Sequence, residues 1–291
     1  MIVRTVIARR ALWSLLLMSL SSMAAARCTD TGLALQILGS GGPFGDGRAA
    51  TGYVVWVDGT SRLLVDAGGG TFSRFHQAEA TLEDLQLIAL SHFHPDHSAE
   101  LPALLWPRNG ELRIAGPTGS AGFPPVAEFL AGLVGPDGVF RVLQPRFTFQ
   151  VVTAPTDGTV SRVLEESRLV VTARSVPHGD VPTLAYRVEY AGASIVFSSD
   201  QDGSDPGFVD FARDADLLVI HLAASENATG MVAQLHARPS VWGQIAARAN
   251  IGRLVLSHIS SRQDLEANLE ILQANYQGPL TVGEDLLCVL P

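Results

Sequence analysis

The chain has 291 residues, of which 47% are hydrophobic, enough for a sizeable buried core in one large domain or two small ones. Its formal net charge is −9, and all of its basic residues other than histidine are arginines, because the chain contains no lysine. Affinity for nucleic acid depends heavily on cationic contacts to phosphates, so this acidic chain is a poor candidate for holding a long nucleic acid.

The first part of the chain has the pattern of a secretory signal peptide. Three arginines precede an apolar run over residues 11–20, and three alanines follow at residues 24–26. The apolar run is shorter than the roughly 20 residues that a membrane anchor needs. We predict a signal peptide over residues 1–26, a single domain over residues 27–291, no stable membrane insertion after cleavage, and a periplasmic or secreted location. Cleavage would remove three arginines and change the formal charge from −9 to −12.

The first half of the mature chain alternates apolar runs with turns marked by glycine, proline and aspartate, which predicts short strands. Apolar residues at helical spacing predict two helices among them. We expect strands near Leu33–Leu38, Gly52–Val57, Arg62–Val65, Leu85–Leu90 and Leu112–Ala115, and helices over Ser98–Trp106 and Pro125–Leu133.

The second half continues in the same style, with many short strands and interspersed helices. This organisation is typical of stacked sheets that are covered by helices. We expect strands near Phe147–Val152, Leu169–Ala173, Leu184–Tyr190, Ser194–Ser198, Leu217–His221, Leu254–Ser257 and Leu286–Val289, and helices over Gly207–Ala212, Val241–Ala249 and Leu265–Ala274.

A cluster of histidines follows the apolar run Leu85–Leu90. His92, His94, Asp96 and His97 place three imidazoles and one carboxylate within six residues. A polar surface turn is the alternative, but such a turn needs neither three histidines nor a buried strand ahead of it. Neutral imidazole and carboxylate oxygen are ligands that zinc and its neighbours prefer, so the motif predicts a metal site where a strand gives way to a loop.

Three further polar residues each end a later apolar run. They are His178, Asp200 and His258. Singly, each is typical of an ordinary loop residue, and it is the set that favours a metal centre, because loops at one rim of a sheet sandwich can meet.

With these residues in place, the chain resembles the metallo-β-lactamase superfamily, and within it the branch that contains tRNase Z, arylsulfatases and phosphodiesterases. The resemblance runs from Gly39-Ser40-Gly41-Gly42 through Asp66-Ala67-Gly68-Gly69 and the His92–His97 motif to His258. It implies an α/β fold, the αββα four-layer sandwich, with metals at one edge.

The resemblance also implies the roles of individual residues. His92, His94 and His178 would hold the first metal, and Asp96, His97 and His258 the second, with Asp200 bridging both. Asp66 is similar to a family aspartate that orients a metal ligand by hydrogen bonding. A turn-stabilising role before Gly68 is the alternative for Asp66.

Two departures from the tRNase Z pattern bear on mechanism and substrate. His236 resembles a histidine that protonates the leaving group, but Leu222 stands where a glutamate would orient that histidine, so an acid role and a supporting or surface role both stay open. His221 is interpreted as a structural histidine at a strand end. Only 21 residues separate His178 from Asp200, which leaves no room there for a tRNA-binding arm.

We therefore expect an exported dinuclear hydrolase that attacks small phosphodiesters with a metal-bridging hydroxide. Asp96 and Asp200 would position the hydroxide, and His236 is the candidate acid. The expected cofactors are two divalent ions, zinc first, with manganese or iron as alternatives. The expected partner is a small anionic ester, and a homodimer stays open. Alternative functions are an arylsulfatase, a lactone or thioester hydrolase, and a metal-binding protein without turnover.

The two cysteines lie near opposite ends of the predicted mature chain. In an oxidising compartment Cys28 and Cys288 could join these ends by a disulfide. The alternative is two buried free thiols that act as small apolar residues.

Overall fold

A computed structural model of the protein describes Cys28, residues 31–106 and residues 108–291. The predicted signal peptide over residues 1–26 lies outside the described residues. Within the part of the chain that is described, no helix has both the length and the apolar character that a membrane crossing requires.

Fourteen strands form two sheets in the described part of the chain. The first sheet contains β1 (Leu33–Gly39), β2 (Gly52–Val57), β3 (Thr60–Val65), β4 (Leu87–Ala89), β5 (Gly110–Pro117), β6 (Phe147–Ala154) and β14 (Cys288–Val289). Its strand order is β14-β1-β2-β3-β4-β5-β6. The pairs from β14 to β3 are antiparallel and those from β3 to β6 are parallel.

The second sheet is also mixed. It contains β7 (Ser161–Glu166), β8 (Leu169–Val176), β9 (Thr183–Tyr190), β10 (Ala193–Phe197), β11 (Leu217–His221), β12 (Arg253–Ser257) and β13 (Leu280–Val282). Its strand order is β13-β12-β11-β10-β9-β8-β7. Strands β10 to β13 run parallel, whereas β7 to β10 pair antiparallel.

Eight α-helices and two 3₁₀ helices lie in the described segments. The α-helices are α1 (Thr71–Gln77), α2 (Pro95–Ser98), α3 (Leu101–Leu105), α4 (Val126–Val134), α5 (Pro206–Ala212), α6 (Gly230–Leu235), α7 (Pro239–Arg248) and α8 (Leu265–Asn275). The 3₁₀ helices are Leu82–Asp84 and Arg141–Arg146.

The alternation of side chains along β1 shows why the molecule has four layers. Leu33, Leu35 and Ile37 pack in the core between the two sheets, whereas Ala34 and Leu38 pack beneath the helices. Successive side chains of a strand point to opposite faces, so a strand that is covered on both faces reads as one continuous apolar run.

The helices cover the outer face of each sheet. Residues of α1, α3 and α4 pack on the first sheet, and residues of α5, α7 and α8 pack on the second. This arrangement confirms the αββα sandwich predicted from the sequence.

A disulfide joins the two ends of the described chain. Cys28 is bonded to Cys288, with 5.4 Å between the Cα atoms. Cys288 lies in β14, which pairs with β1, so the bond lies at one side of the first sheet. The prediction of a disulfide is confirmed, and the alternative of two free thiols is wrong.

Candidate metal centre

The predicted ligands lie at one edge of the sandwich, in the segments that follow strands, and two of them, Asp96 and His97, lie in a short helix rather than in the expected loop. Strands β10, β11 and β12 are parallel neighbours, so their carboxyl ends meet at the same edge. His92 follows β4 by three residues, and α2 begins directly after His94 and contains Asp96 and His97. The remaining ligands follow β8, β10 and β12, and they are His178, Asp200 and His258.

One set of four residues faces a common point. The His94 Nδ1 atom lies 3.0 Å from His92 Nε2 and 3.5 Å from His178 Nε2. Asp200 Oδ2 lies 3.7 Å from His178 Nε2 and 3.9 Å from His92 Nε2. The Nδ1 atom of His178 donates to the carbonyl of Leu235 at 2.9 Å, which leaves its Nε2 atom for this point.

A second set of residues lies on the other side of Asp200. His258 Nε2 is 3.2 Å from Asp96 Oδ2 and 3.6 Å from Asp200 Oδ1. His97 Nε2 is 3.7 Å from Asp96 Oδ2 and 3.5 Å from Asp200 Oδ2. The Asp200 carboxylate therefore lies between the two sets, and its Oδ2 atom is within 4 Å of nitrogens from both.

The residues of both sets fit divalent cations. Ligand atoms lie within 4.8 Å of one another in two clusters, one from His92, His94, His178 and Asp200 and one from His97, Asp200, His221 and His258, and all of these residues except His94 are buried. His97 Nε2 is buried and has no hydrogen-bond partner, which is costly unless the atom has another ligand. His and Asp donors suit zinc and its neighbours, so the centre can bind divalent metal but does not by itself define which one.

Asp66 orients His97. Its Oδ1 atom accepts from the Ser91 amide and its Oδ2 atom from the Ser91 hydroxyl, both at 2.7 Å. The same Oδ2 lies 2.8 Å from His97 Nδ1, so Nδ1 carries a proton and Nε2 is directed into the second set. Asp66 has a positive φ of 58° directly after β3, but its carboxylate binds Ser91 and His97 and no group of the described turn before Gly68.

Charges inside the cluster outweigh the effect of burial on the carboxylates. Burial alone would raise the pKa of Asp96, but the hydrogen bond with His258 and the neighbouring imidazoles lower it to about 2. Burial would also raise the pKa of Asp200, yet His258, His97 and His236 hold it well below its usual value. Both groups are therefore carboxylates at neutral pH, as metal ligands must be.

The imidazoles divide into two groups. Burial lowers the pKa of His92 well below its usual value and also lowers the pKa of His94, so both are neutral and ready to bind metal. Burial would lower the pKa of His97 as well, but Asp200 and Asp66 raise it well above the usual value. Without a metal His97 is therefore protonated, and a cation beside its Nε2 atom would displace the proton from that nitrogen.

Glycines let the backbone approach the cluster closely. A Cβ atom at Gly42 would lie 2.5 Å from His258 Cε1, and one at Gly68 would lie 2.0 Å from the Asp96 carbonyl oxygen. The glycines of the two sequence motifs that precede the histidine cluster therefore leave room for two ligand-bearing loops.

His221 lies inside the centre and contacts Asp200, which the sequence analysis did not predict. Its Nδ1 atom is 2.7 Å from Asp200 Oδ1, and it belongs to a cluster with His97, Asp200 and His258 that could hold a metal. A signal existed: His221 ends β11, between β10 and β12, at the edge where Asp200 and His258 lie. Since both of its ring nitrogens have partners, the interpretation as a hydrogen-bonded histidine at a strand end agrees with the structure.

His236 also lies in the centre rather than on the surface. Its side chain is 14% exposed, and its Nδ1 atom is 3.9 Å from Asp200 Oδ2. Leu222 is buried in the apolar core of the second sheet and contributes no carboxylate. Burial lowers the pKa of His236 to about 4 despite Asp200. The alternative of a surface role is therefore wrong, and the proton-donor role stays a prediction.

The family of the chain follows from its sequence. The model described as "Beta-lactamase superfamily domain" matches residues 61–259, more than half of the chain. The chain therefore belongs to the β-lactamase superfamily, as its sequence motifs predicted. With the His and Asp cluster at its edge, it is a metal-dependent hydrolase of this superfamily.

Individual known proteins are similar to the chain in sequence and in fold. Ribonuclease Z of Mycobacterium sp. (strain KMS) is 31% identical over 246 residues, covering 77% of this chain and 83% of the relative. The crystal structure of the metallo-β-lactamase fold protein YhfI from Bacillus subtilis is 22% identical and superposes with a TM-score of 0.72, covering 88% of this chain and 98% of that one. The crystal structure of human tRNase Z, short form, is 21% identical and superposes with a TM-score of 0.69, covering 88% of this chain and 98% of that one. The two structures confirm the fold.

Proposed function

We propose that the protein is an exported dinuclear hydrolase that cleaves small phosphodiesters. The position of Asp200 carries this proposal, because its carboxylate lies between two sets of ligand atoms that could each hold one ion. Two bound divalent ions would supply a hydroxide nucleophile near neutral pH and stabilise negative charge on the attacked phosphorus centre and the departing oxygen.

The chain's own residues have separable roles in this proposal. Asp96 and Asp200, both ionised, would hold the attacking oxygen in place as well as bind metal. His236 lies beside both ligand sets, with its ring centroid 5.3 Å from that of His178 and 5.7 Å from that of His258, and from there it would donate a proton to the departing oxygen. It is the candidate proton donor.

The name of one relative supports the phosphodiester bond as the target. Ribonuclease Z, at 31% identity, is named for an activity on RNA, whose nucleotides are joined by phosphodiesters. The name also makes RNA the competing substrate.

Three observations support a small substrate over a large RNA. Residues 179–199, all described, form β9, β10 and their turns, and nothing in that segment protrudes as an arm. A cavity of about 520 Å³, lined in part by Phe44, Pro95 and Asp96, adjoins the second ligand set and has the size of a small-molecule site. The acidic, lysine-free composition disfavours a long polyanion.

Export is supported by the cysteines and by the start of the chain. Disulfides persist in oxidising compartments, and Cys28 is bonded to Cys288. N-terminal sequencing of the protein from a periplasmic or secreted fraction tests this part of the proposal. Arg27 as the first residue is expected, whereas an intact Met1 in a cytoplasmic fraction would contradict export.

A side-by-side rate assay tests the activity. The metal-loaded protein is given bis(p-nitrophenyl) phosphate, p-nitrophenyl sulfate and a precursor tRNA, each with and without a chelator. Faster, chelator-sensitive cleavage of the phosphodiester is expected. A preference for the sulfate would favour a sulfatase, specific cleavage of the tRNA would favour a processing ribonuclease, and no chelator-sensitive turnover on any ester would indicate a metal-binding protein.

A further inference from the structure

Two buried side chains outside the predicted ligand set converge on the Asp200 carboxylate. His221 ends β11 and is 2% exposed, and its Nδ1 atom lies 2.7 Å from Asp200 Oδ1. An ionised carboxylate only accepts hydrogen bonds, so Nδ1 carries the proton and donates it. This bond fixes Asp200 Oδ1 and leaves Oδ2 directed at the nitrogens of both ligand sets.

Tyr53 binds the other nitrogen of the same ring. Its hydroxyl lies 3.0 Å from His221 Nε2, and its ring is fully buried in the core between the sheets. When Nδ1 carries the proton of a neutral imidazole, Nε2 can only accept, so the Tyr53 hydroxyl is the donor. The opposite tautomer would place a nitrogen lone pair against the Asp200 oxygen, so Asp200 selects the tautomer with the proton on Nδ1, and the Tyr53 hydroxyl holds the other end of the ring.

The backbone around His221 is also held. Trp242 Nε1 donates to the His221 carbonyl at 3.2 Å, and the Leu222 amide donates to the Ser257 carbonyl at 2.9 Å. With the main chain fixed in this way, the two ring hydrogen bonds decide where the imidazole lies. Tyr53 comes from β2 of the first sheet and His221 from β11 of the second, so the pair also links the two sheets at the metal edge.

We propose that Tyr53 and His221 are positioning residues that hold the Asp200 carboxylate in the orientation in which it bridges the two metal ions. The inference rests on the dinuclear centre of the proposed function. The rival interpretation makes His221 a metal ligand, because it clusters with His97, Asp200 and His258. Both ring nitrogens of His221 are already engaged in this geometry, which favours the positioning role.

The test is Tyr53→Phe, which removes one hydroxyl and leaves all proposed ligands intact. Affinities for Co²⁺ are measured by competition with a chromophoric chelator, and the visible spectrum of the loaded protein reports ligand geometry. We expect two ions still to bind, with the weaker affinity reduced about 10- to 100-fold and the cobalt bands shifted, as typically follows loss of a residue that orients a ligand.

Tyr186→Phe is the matched control. Tyr186 is equally buried, and its hydroxyl donates to the Leu90 carbonyl at 2.8 Å rather than to a histidine. Thermal unfolding of both variants measures the general cost of removing a buried hydroxyl. If Tyr53→Phe changes metal affinity and spectrum no more than Tyr186→Phe does, the positioning role is overturned.

His221→Gln and the double variant that combines it with Tyr53→Phe complete a double-mutant cycle. If the two residues act as one unit, the double variant is no weaker in metal affinity than His221→Gln alone. If His221→Gln binds one ion per chain while Tyr53→Phe binds two with unchanged affinity, His221 is a ligand and the proposal is wrong. Titration of the unsubstituted protein with Co²⁺ tests the dinuclear centre separately, and if His221→Gln does not fold, the comparison of the two tyrosine variants still decides.

Discussion

His236 lies beside Asp200 in an environment that favours a neutral imidazole. It is mostly buried, its Nδ1 atom has no hydrogen-bond partner, and burial lowers its pKa to about 4. A negatively charged phosphodiester bound beside it would favour its protonated form. The acid role of His236 therefore requires a bound phosphodiester. It can be tested by comparing substrates whose leaving groups differ in their need for a proton.

We predict that His236→Ala retains both metal ions and loses about 10²- to 10⁴-fold in kcat on phosphodiesters with a poor leaving group such as an alkoxide. The loss on bis(p-nitrophenyl) phosphate should be much smaller, because p-nitrophenolate departs without a proton. Rates and metal content are measured together. Equal losses on both substrates would remove His236 from proton transfer.

We predict the opposite pattern for Asp200→Ala. Its carboxylate lies between both sets of nitrogens, so its removal should lower metal content as well as abolish turnover on every ester. Elemental analysis after dialysis against a weak chelator measures the loss. A variant that retained two ions with wild-type affinity would show that Asp200 does not bridge them.

At the scale of single residues, the sequence predicted those site residues whose residue types and spacing are unusual. Three imidazoles and a carboxylate in six residues are unusual enough to identify His92–His97 without a structure. Tyr53 carried no such signal, because a tyrosine in an apolar strand is common, and the position of His221 at the end of β11 equally fitted an ordinary structural histidine. Their contacts with each other and with Asp200 depend on how the two sheets stack, which local sequence does not specify.

At the scale of elements, the loop between β1 and β2 supports the second ligand set. Gly42 has an ordinary backbone conformation, but a Cβ atom there would lie 2.5 Å from His258 Cε1 and 2.8 Å from its Nδ1. Any larger residue requires either the His258 imidazole or the loop to move, and movement of the imidazole would take it away from Asp96 and Asp200.

We predict that Gly42→Ala weakens metal binding or kcat about 10- to 100-fold, because a misplaced ligand loses both affinity and alignment. Gly122→Ala is the matched control, since Gly122 lies in another loop and a Cβ atom there meets nothing within 4 Å. Chelator competition and thermal unfolding are measured on both. Identical metal affinities would show that the loop yields without moving His258.

The elements that the sequence did not predict are short or weakly buried. The α6 helix has no buried residue and begins at a glycine, so it lacks an apolar face at helical spacing. The β13 strand has three residues, and β7 is an edge strand with mostly polar positions. The α1 helix has seven residues and begins directly after three glycines, which are typical of loops. The long strands β1 and β2 were predicted because a strand that is buried on both faces has a continuous run of apolar residues.

At the scale of the whole molecule, the sandwich brings together ligands from both halves of the chain. The His92–His97 motif follows a strand of the first sheet, whereas Asp200 and His258 follow strands of the second.

The bond between Cys28 and Cys288 spans 260 residues of sequence, so it restricts the unfolded chain over almost its entire described length.

We predict that replacing both cysteines by serine lowers the free energy of unfolding by about 2 to 4 kcal/mol, because the open unfolded chain gains conformational entropy. The melting temperature should fall by about 5 to 15 °C. Thermal unfolding of the oxidised protein, with and without a reductant, gives the same comparison. The reductant should have no effect on the double-serine variant, and equal stability of oxidised and reduced protein would contradict the prediction.

The same bond makes the chain between residues 28 and 288 a closed covalent ring. A protease that nicks one exposed loop of such a ring opens it without dividing the molecule, since the two pieces stay tethered at their far ends. The half that carries His92 and the half that carries His258 then remain at a high effective concentration and can keep the metal edge assembled. Only a second nick, or reduction of the bond, would release them from each other.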